Sequence, residues 1–293
     1  NKQISNLPLM PKGNMPYDGG NLSLSEQEKE KLINDYPEST KFIKKLIGAE
    51  EFLDGKQRFC LWLSNKNLND ALKIEPIKTR IENVKNMRLS STDKAAHKLA
   101  ERAHQFRETN ETTTSSLIIP LTTSERRVYI PLGFVNSEYI ATNAVSVIYD
   151  AEPWIFGVIS SLMHMAWVRA VGGSLETRIR YSSVLCYNTF PFPNISQKQK
   201  DEITELVFGV LDEREKHSEK TLAQLYDPDK MPEGLKKAHH NLDIAIEQCY
   251  RSKPFESDEE RLEYLFKMYE EMIKKDTLFQ KEKKTRKRKY EEE

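Results

Sequence analysis

The sequence contains no phosphate-cradling glycine loop, no Cys/His set with zinc spacing, and no surplus of charge of either sign. The Gly19-Gly20 and Gly172-Gly173 pairs match neither the P-loop nor the dinucleotide fingerprint. The lack of ligand pairs leaves no zinc site. No Asp/Asn/Ser-Pro-Pro-aromatic segment of the amino-methyltransferase kind occurs either; Asp227-Pro228-Asp229 and Phe192-Pro193-Asn194 do not fit it. With no acid–base pair, nucleophile or metal set, no catalytic residue is expected in this chain. The balance of 45 Lys+Arg against 45 Asp+Glu gives no global electrostatic case for nucleic acid. Cysteine is scarce: Cys60, Cys186 and Cys249 lie far apart in apolar or helical contexts. That usage suits buried thiols in a reducing, cytoplasmic setting. No signal peptide is visible, and no membrane-length apolar run is free of charge, so no membrane partner is expected. The chain opens on Asn1 and not Met, which reads as an excised fragment.

What is present is a soluble, globular profile of 293 residues, 38% hydrophobic and 31% charged, for which two domains are the natural expectation. The central feature is an apolar stretch, Pro153 to Val171, with Pro at its start and Gly172 past its end. It reads as one buried core helix. His164 within it reads as a satisfied core histidine, with Met163 and Met165 as packing. After Gly172-Gly173 the pattern turns to period two, predicting a strand. Glu176, Arg178, Arg180 and Ser182 point one way; Thr177, Ile179 and Tyr181 point the other. From Val184 to Tyr187 both faces turn mostly apolar, as in a strand entering a core, until Pro191 and Pro193 end regular structure.

The rest of the chain frames this stretch. Residues 1–21 are Pro/Gly/Asn-rich loop. Ser25 with Glu28 predicts a capped helix, broken at Pro37, with a second helix to about Ile47. Asp54-Gly55 marks a turn before a strand at Lys56–Leu63. Two basic helices follow, about Glu75–Met87 and Thr92–Phe106, the second with an inner stripe of Ala95, Leu99, Ala103 and Phe106. From Lys66 to Arg107 there are ten Lys/Arg against five Asp/Glu. By itself that run reads as a solvated surface; a phosphate-facing patch is the sharper alternative. Strands are predicted at Ser116–Pro120, Arg127–Pro131 and Tyr139–Tyr149. Trp62, Trp154 and Trp167 are assigned to core, and Glu50-Glu51, Glu259-Glu260 and His239-His240 to the surface. The fold class expected is a mixed α+β domain over 1–195, then a small all-α antiparallel bundle over 196–278. Residues 279–293, with seven Lys/Arg between 281 and 289, are expected to be a disordered tail.

Several ordered segments resemble one family, the single-chain type IIG (IIL) restriction-and-modification enzymes of the MmeI kind. They are Pro16-Tyr17-Asp18-Gly19-Gly20-Asn21; Ile47 to Phe52 with Arg58 to Leu63; Ser124 to Pro131 with Gly133-Phe134; Ser160 to Trp167; Arg180-Tyr181-Ser182 with Tyr187 to Pro193; and Leu225-Tyr226-Asp227-Pro228. The resemblance covers a target recognition domain and a helical C-terminal part. It implies a nuclease and an adenine-N6 methyltransferase elsewhere in a parent chain, with S-adenosylmethionine and Mg belonging there and no cofactor here. It implies double-stranded DNA and that catalytic part as partners.

The resemblance further implies that base-reading side chains lie just ahead of Arg180-Tyr181-Ser182. Glu176 and Arg178 are then the candidates, because Arg can fork to guanine O6/N7 and Glu can accept from the cytosine amino group. The bland reading of the same two residues is a surface ion pair. Arg180, Arg126, Arg127, Lys94 and Lys98 are the candidates for backbone contact or support. Arg126 and Arg127 would point opposite ways in a strand. The alternative function is a protein-interaction scaffold whose basic segment is only solvated; steep salt dependence separates the two.

Overall fold

The computed structural model describes residues 3–291, with side chains to residue 275. The capping box at Ser25 and Glu28 forms as its spacing predicts and starts α1 (Glu26–Asp35) after a short strand, β1 (Ser23–Leu24). Pro37 ends that helix in a 3-10 turn. The second helix expected up to Ile47 is instead strand β2 (Ile43–Ile47). Tertiary pairing overrides local preference here: β2 runs parallel to Tyr139–Ala141 and antiparallel to Phe59–Leu61. A short helix, α2 (Ala49–Asp54), closes at Gly55 in the left-handed region (φ +71°), and β3 (Phe59–Leu61) follows.

Short α3 (Leu68–Ala71) leads into α4 (Glu75–Leu89) and α5 (Lys94–Leu99), the last capped by the Asp93 carboxylate on the Ala95 N–H. The buried stripe of the second basic helix starts at Ala96 and Ala100, not Ala95 and Leu99. A 3-10 turn at Ala100–Arg102 tightens the helix and shifts the inward face before Ala103 and Phe106. Arg88, from the run read as solvated, is fully buried. Its guanidinium donates to the carbonyls of Tyr17, Leu99, Arg102, Pro16 and Gln105 at 2.7–3.3 Å.

Strand β4 (Ser115–Pro120) runs antiparallel to both neighbours, between β6 (Gly133–Asn136) and β8 (Val145–Tyr149); β5 (Thr122–Thr123) lies outside that sheet. The strand expected at Arg127–Pro131 does not form. That stretch is irregular, and Tyr129 and Ile130 are buried directly in the core. The long strand expected from Tyr139 is split by a turn into β7 (Tyr139–Ala141) and β8, which belong to different sheets.

The apolar helix is also two helices, α6 (Pro153–Ser160) and α7 (Leu162–Val171), bent by 58°. At the break Ser161 is extended; its hydroxyl accepts from the His164 N–H at 3.3 Å, and the Asp243 carboxylate accepts from the Leu162 N–H at 2.8 Å. A serine N-cap inside a continuous apolar run is a signal the periodicity hides. No single described helix is long and apolar enough to cross a membrane, and this bent pair is buried within the protein.

Four helices follow: α8 (Gln197–Glu215), α9 (Leu222–Leu225), α10 (Glu233–Gln248) and α11 (Asp258–Glu291). The backbone of α11 continues where a disordered tail is expected from residue 279; side chains there lie outside the described ones. One hydrophobic core gathers Leu22, Phe42, Phe59, Ile77 and Phe106 from the N-terminal part. A larger one unites Leu117, Phe156 and Trp167 with Ile203, Val207, Leu242 and Leu265. Packing therefore runs straight across residue 195. Gly157 shows how closely: a Cβ there would sit 2.5 Å from Ile203 Cγ2. A Gly157→Val substitution is expected to overpack this seam and lower stability by about 1–3 kcal/mol, read by urea denaturation.

A buried polar chain crosses the same seam. Arg214 donates to Leu132 O at 2.8 Å and to the Tyr226 hydroxyl, which also meets His239 Nε2 at 2.7 Å. His239 stacks on Tyr129 (4.2 Å between centroids), whose hydroxyl donates to Asp243 at 2.7 Å. His239 is thus a core residue, not the surface one expected; His240 beside it is exposed. The Leu225-Tyr226-Asp227-Pro228 segment contributes its tyrosine to this junction.

Candidate nucleic-acid interface

The charged tip expected on a strand is the tip of a hairpin. Strand β9 (Gly173–Leu175) turns through Glu176-Thr177 into β10 (Arg178–Arg180), with Leu175 opposite Arg178. Glu176 adopts the left-handed region (φ +56°) to make the turn. Gly172 feeds the hairpin out of α7; a Cβ there would fall 2.4 Å from the Val168 carbonyl oxygen. One edge of β10 is anchored on β5, pairing Ile179 with Thr123 and Arg180 with Thr122. The strand does not continue into the core. Ser183–Tyr187 forms a single π-helical turn, with Cys186 and Tyr187 buried but Val184 and Leu185 exposed.

The hairpin's root is fixed by buried residues. Tyr181 is buried and shares a 3.1 Å hydrogen bond with His164 Nε2; its N–H donates to Leu121 O at 2.8 Å. Burial pushes the His164 imidazole down to about 3, and its Nδ1 has no hydrogen-bond partner among the described residues. Trp167 Nε1 donates to Thr189 at 3.2 Å, and the Tyr187 hydroxyl to Pro8 O at 2.9 Å. Trp154 and Trp167 lie in the core, but Trp62 is only half-buried and donates to Glu111 at 3.0 Å. The segments Ser160–Trp167, Arg180–Ser182 and Tyr187–Pro193 thus form a rigid mount, and the charged residues project from it.

At the tip Arg178 and Glu176 form an exposed ion pair of 3.1 Å. They are brought together across the turn, not along one strand face. Arg180 is exposed at the base of the hairpin with no ion-pair partner among the described residues. Lys94 and Lys98, one turn apart on α5, are likewise exposed and without ion-pair partners among the described residues. The arginine pair is different. Arg126 is tied to Asp229 at 2.6 Å, and Arg127 is half-buried against Thr123 Oγ1 (3.3 Å) and Ala223 O (3.4 Å). Desolvation lowers the Arg127 pKa, while the Asp229 carboxylate raises that of exposed Arg126. Both link the first part of the chain to the helical part, Arg126 through an exposed ion pair and Arg127 through half-buried hydrogen bonds.

This arrangement has known counterparts. The family model described as "MmeI, target recognition domain" matches residues 1–194, and "MmeI, C-terminal domain" matches 195–277. The chain belongs to the MmeI family. DNA methyltransferase A of Bacillus subtilis (strain 168) is 49% identical over 275 residues, covering 94% of this chain and 31% of that protein. The structure of the type IIL restriction-modification enzyme MmeI in complex with DNA is similar with a TM-score of 0.88 and 39% identity, covering 94% of this chain and 37% of that one. The chain spans about a third of the length of these two relatives.

Proposed function

We propose that this chain is a sequence-specific double-stranded-DNA recognition module, working within a longer restriction-modification chain that carries the methyltransferase and nuclease parts. The observation that carries the reading is the exposed Glu176–Arg178 pair on a rigidly mounted hairpin, in a chain of the MmeI family. Arg178 supplies parallel donors suited to guanine O6 and N7, and Glu176 an acceptor suited to the cytosine amino group. In the free protein each neutralises the other, so engaging a base pair exchanges one charge-assisted partner for another. Arg180, Lys94 and Lys98, exposed and without ion-pair partners among the described residues, are candidates for backbone contact or support. S-adenosylmethionine and Mg belong, in this reading, to the catalytic part of the parent chain.

The test is selection of bound duplexes from a random pool, followed by sequencing, with Glu176→Lys/Arg178→Asp alongside. The wild type is expected to enrich an asymmetric motif, and the double variant to change it at a single base pair, with discrimination of about 1–3 kcal/mol there. Salt-sensitive binding with an unchanged motif would remove Glu176 and Arg178 as readers. Binding to a protein partner that is indifferent to salt, with none to DNA, would favour an interaction scaffold.

A further inference from the structure

Beside the hairpin lies a groove of about 380 Å³, of whose lining only Arg180 has so far been given a role. Its walls come from Lys12, Leu121, Ser146, Gly173 and the contiguous stretch from Arg180 to Leu185. Three features distinguish it from an ordinary surface depression. Lys12 and Arg180 both line it, and neither has an ion-pair partner among the described residues. Ser146 is fully buried, yet its hydroxyl has no hydrogen-bond partner among the described residues, although buried polar groups are nearly always paired. Among the described residues, no carboxylate lines the groove.

The larger groove, about 420 Å³, makes the contrast. Its cations are already neutralised: Arg58 by Glu51 at 2.9 Å, Lys56 by Glu50 at 2.7 Å, Lys45 by Glu138 at 3.3 Å. The smaller groove offers two cations without ion-pair partners and serine hydroxyls that can donate, and so fits an anionic ligand rich in acceptors. Its rim adds two exposed apolar side chains, Val184 and Leu185, on a π-type turn, a distortion frequent at functional sites. An anionic, acceptor-only group joined to an apolar ring face is the chemistry of a sugar–phosphate backbone.

We propose that this groove seats the backbone of one DNA strand beside the base pairs met by the hairpin. Lys12 and the Ser182 and Ser183 hydroxyls hold a phosphodiester, Arg180 adds positive charge, and Val184 and Leu185 lie against deoxyribose. The proposal rests on the DNA-reading function above. Phosphate contacts fix register without carrying sequence information. Lys12 is exposed, and its loss removes no internal bond among the described residues.

The experiment is a salt titration of the full 293-residue chain on its selected duplex and on unrelated duplexes, for wild type, Lys12→Gln and Leu185→Glu, with motif selection repeated for each. Lys12→Gln is expected to weaken all duplexes alike and to reduce the slope of log K against log salt by about 0.9, one counterion fewer. Leu185→Glu is expected to weaken them alike as well, with the motif intact. An unchanged slope in Lys12→Gln, with the wild type still selecting a motif, overturns the groove assignment and leaves the reading function standing. A motif altered at one base pair by either variant also overturns it, since the groove would then read bases. A wild-type chain that binds no duplex at low salt removes the reading function itself.

Discussion

Replacing Arg88 with methionine is expected to destabilise the protein by about 3–5 kcal/mol, the cost of leaving five backbone carbonyls without their donor. At roughly 2–4 °C of melting temperature per kcal/mol for a chain of this order of size, the N-terminal core should melt on the order of 10 °C earlier. The reason is geometric. Arg88 is fully buried and meets five backbone carbonyls, two from Pro16 and Tyr17 and three from the chain around α5. Tyr17 is held in the left-handed region (φ +43°), and the Asp18 carboxylate accepts from the N–H groups of Gly20, Leu22 and Ser23. The Pro16–Asn21 segment is thus a turn shaped to present carbonyls to one guanidinium. Arg88→Lys should restore little, since an ammonium has three donors and no planar fork. Lys94→Ala and Lys98→Ala, from the same basic run, should each stay within about 0.5 kcal/mol. Thermal denaturation of the four variants decides it; an Arg88→Met protein as stable as wild type would refute the role.

That contrast shows where the sequence is legible and where it is not. Ten basic residues between Lys66 and Arg107 look alike as letters, yet one is the keystone of a core and others are free surface charges. Local chemistry was readable where it is local: the Ser25/Glu28 capping box, the Gly55 turn and the charged tip at Glu176 and Arg178 all follow from spacing. Pairing was not readable, because it depends on distant partners. Ile43–Ile47 becomes a strand only because Phe59–Leu61 and Tyr139–Ala141 flank it. Arg127–Pro131 has strand-forming residues but spends them in the core. Period-two spacing puts Glu176 and Arg178 on one strand face, whereas the tip is a tight turn whose first residue is not glycine. Charge alone singles out Arg126 and Arg127; their partners, Asp229 and Ala223, lie about a hundred residues away. The groove beside the hairpin joins Lys12 to Arg180, and no local pattern could have linked them.

The buried junction between the two parts of the chain should give this protein an unusual response to acid. Burial pushes the Asp243 carboxyl up to about 7, despite its acceptance of the Leu162 N–H and the Tyr129 hydroxyl. A group raised in the folded state from about 3.9 stabilises fully below its unfolded pKa, and that contribution is lost as pH rises through the folded value. His164 and His239 act oppositely. Burial holds His164 down at about 3 and His239 well below its ordinary range. Their contributions are present above about 6.5 and are lost as pH falls. Between pH 4 and 6, then, unfolding takes up two protons at the histidines and releases one at Asp243. These groups together give a stability that falls by about 1.4 kcal/mol per pH unit toward acid. Asp243→Asn keeps an acceptor for the Leu162 N–H and a polar partner for Tyr129 but cannot hold the proton. Its acid slope from these groups should double, to about 2.7 kcal/mol per pH unit, while other carboxylates cancel in the comparison. Urea denaturation of both proteins at intervals across that range measures the difference directly. Parallel slopes would mean that Asp243 folds as a carboxylate, and that the hydrogen bonds from the Leu162 N–H and the Tyr129 hydroxyl, with the Arg261 charge, outweigh burial and the nearby Glu247 carboxylate.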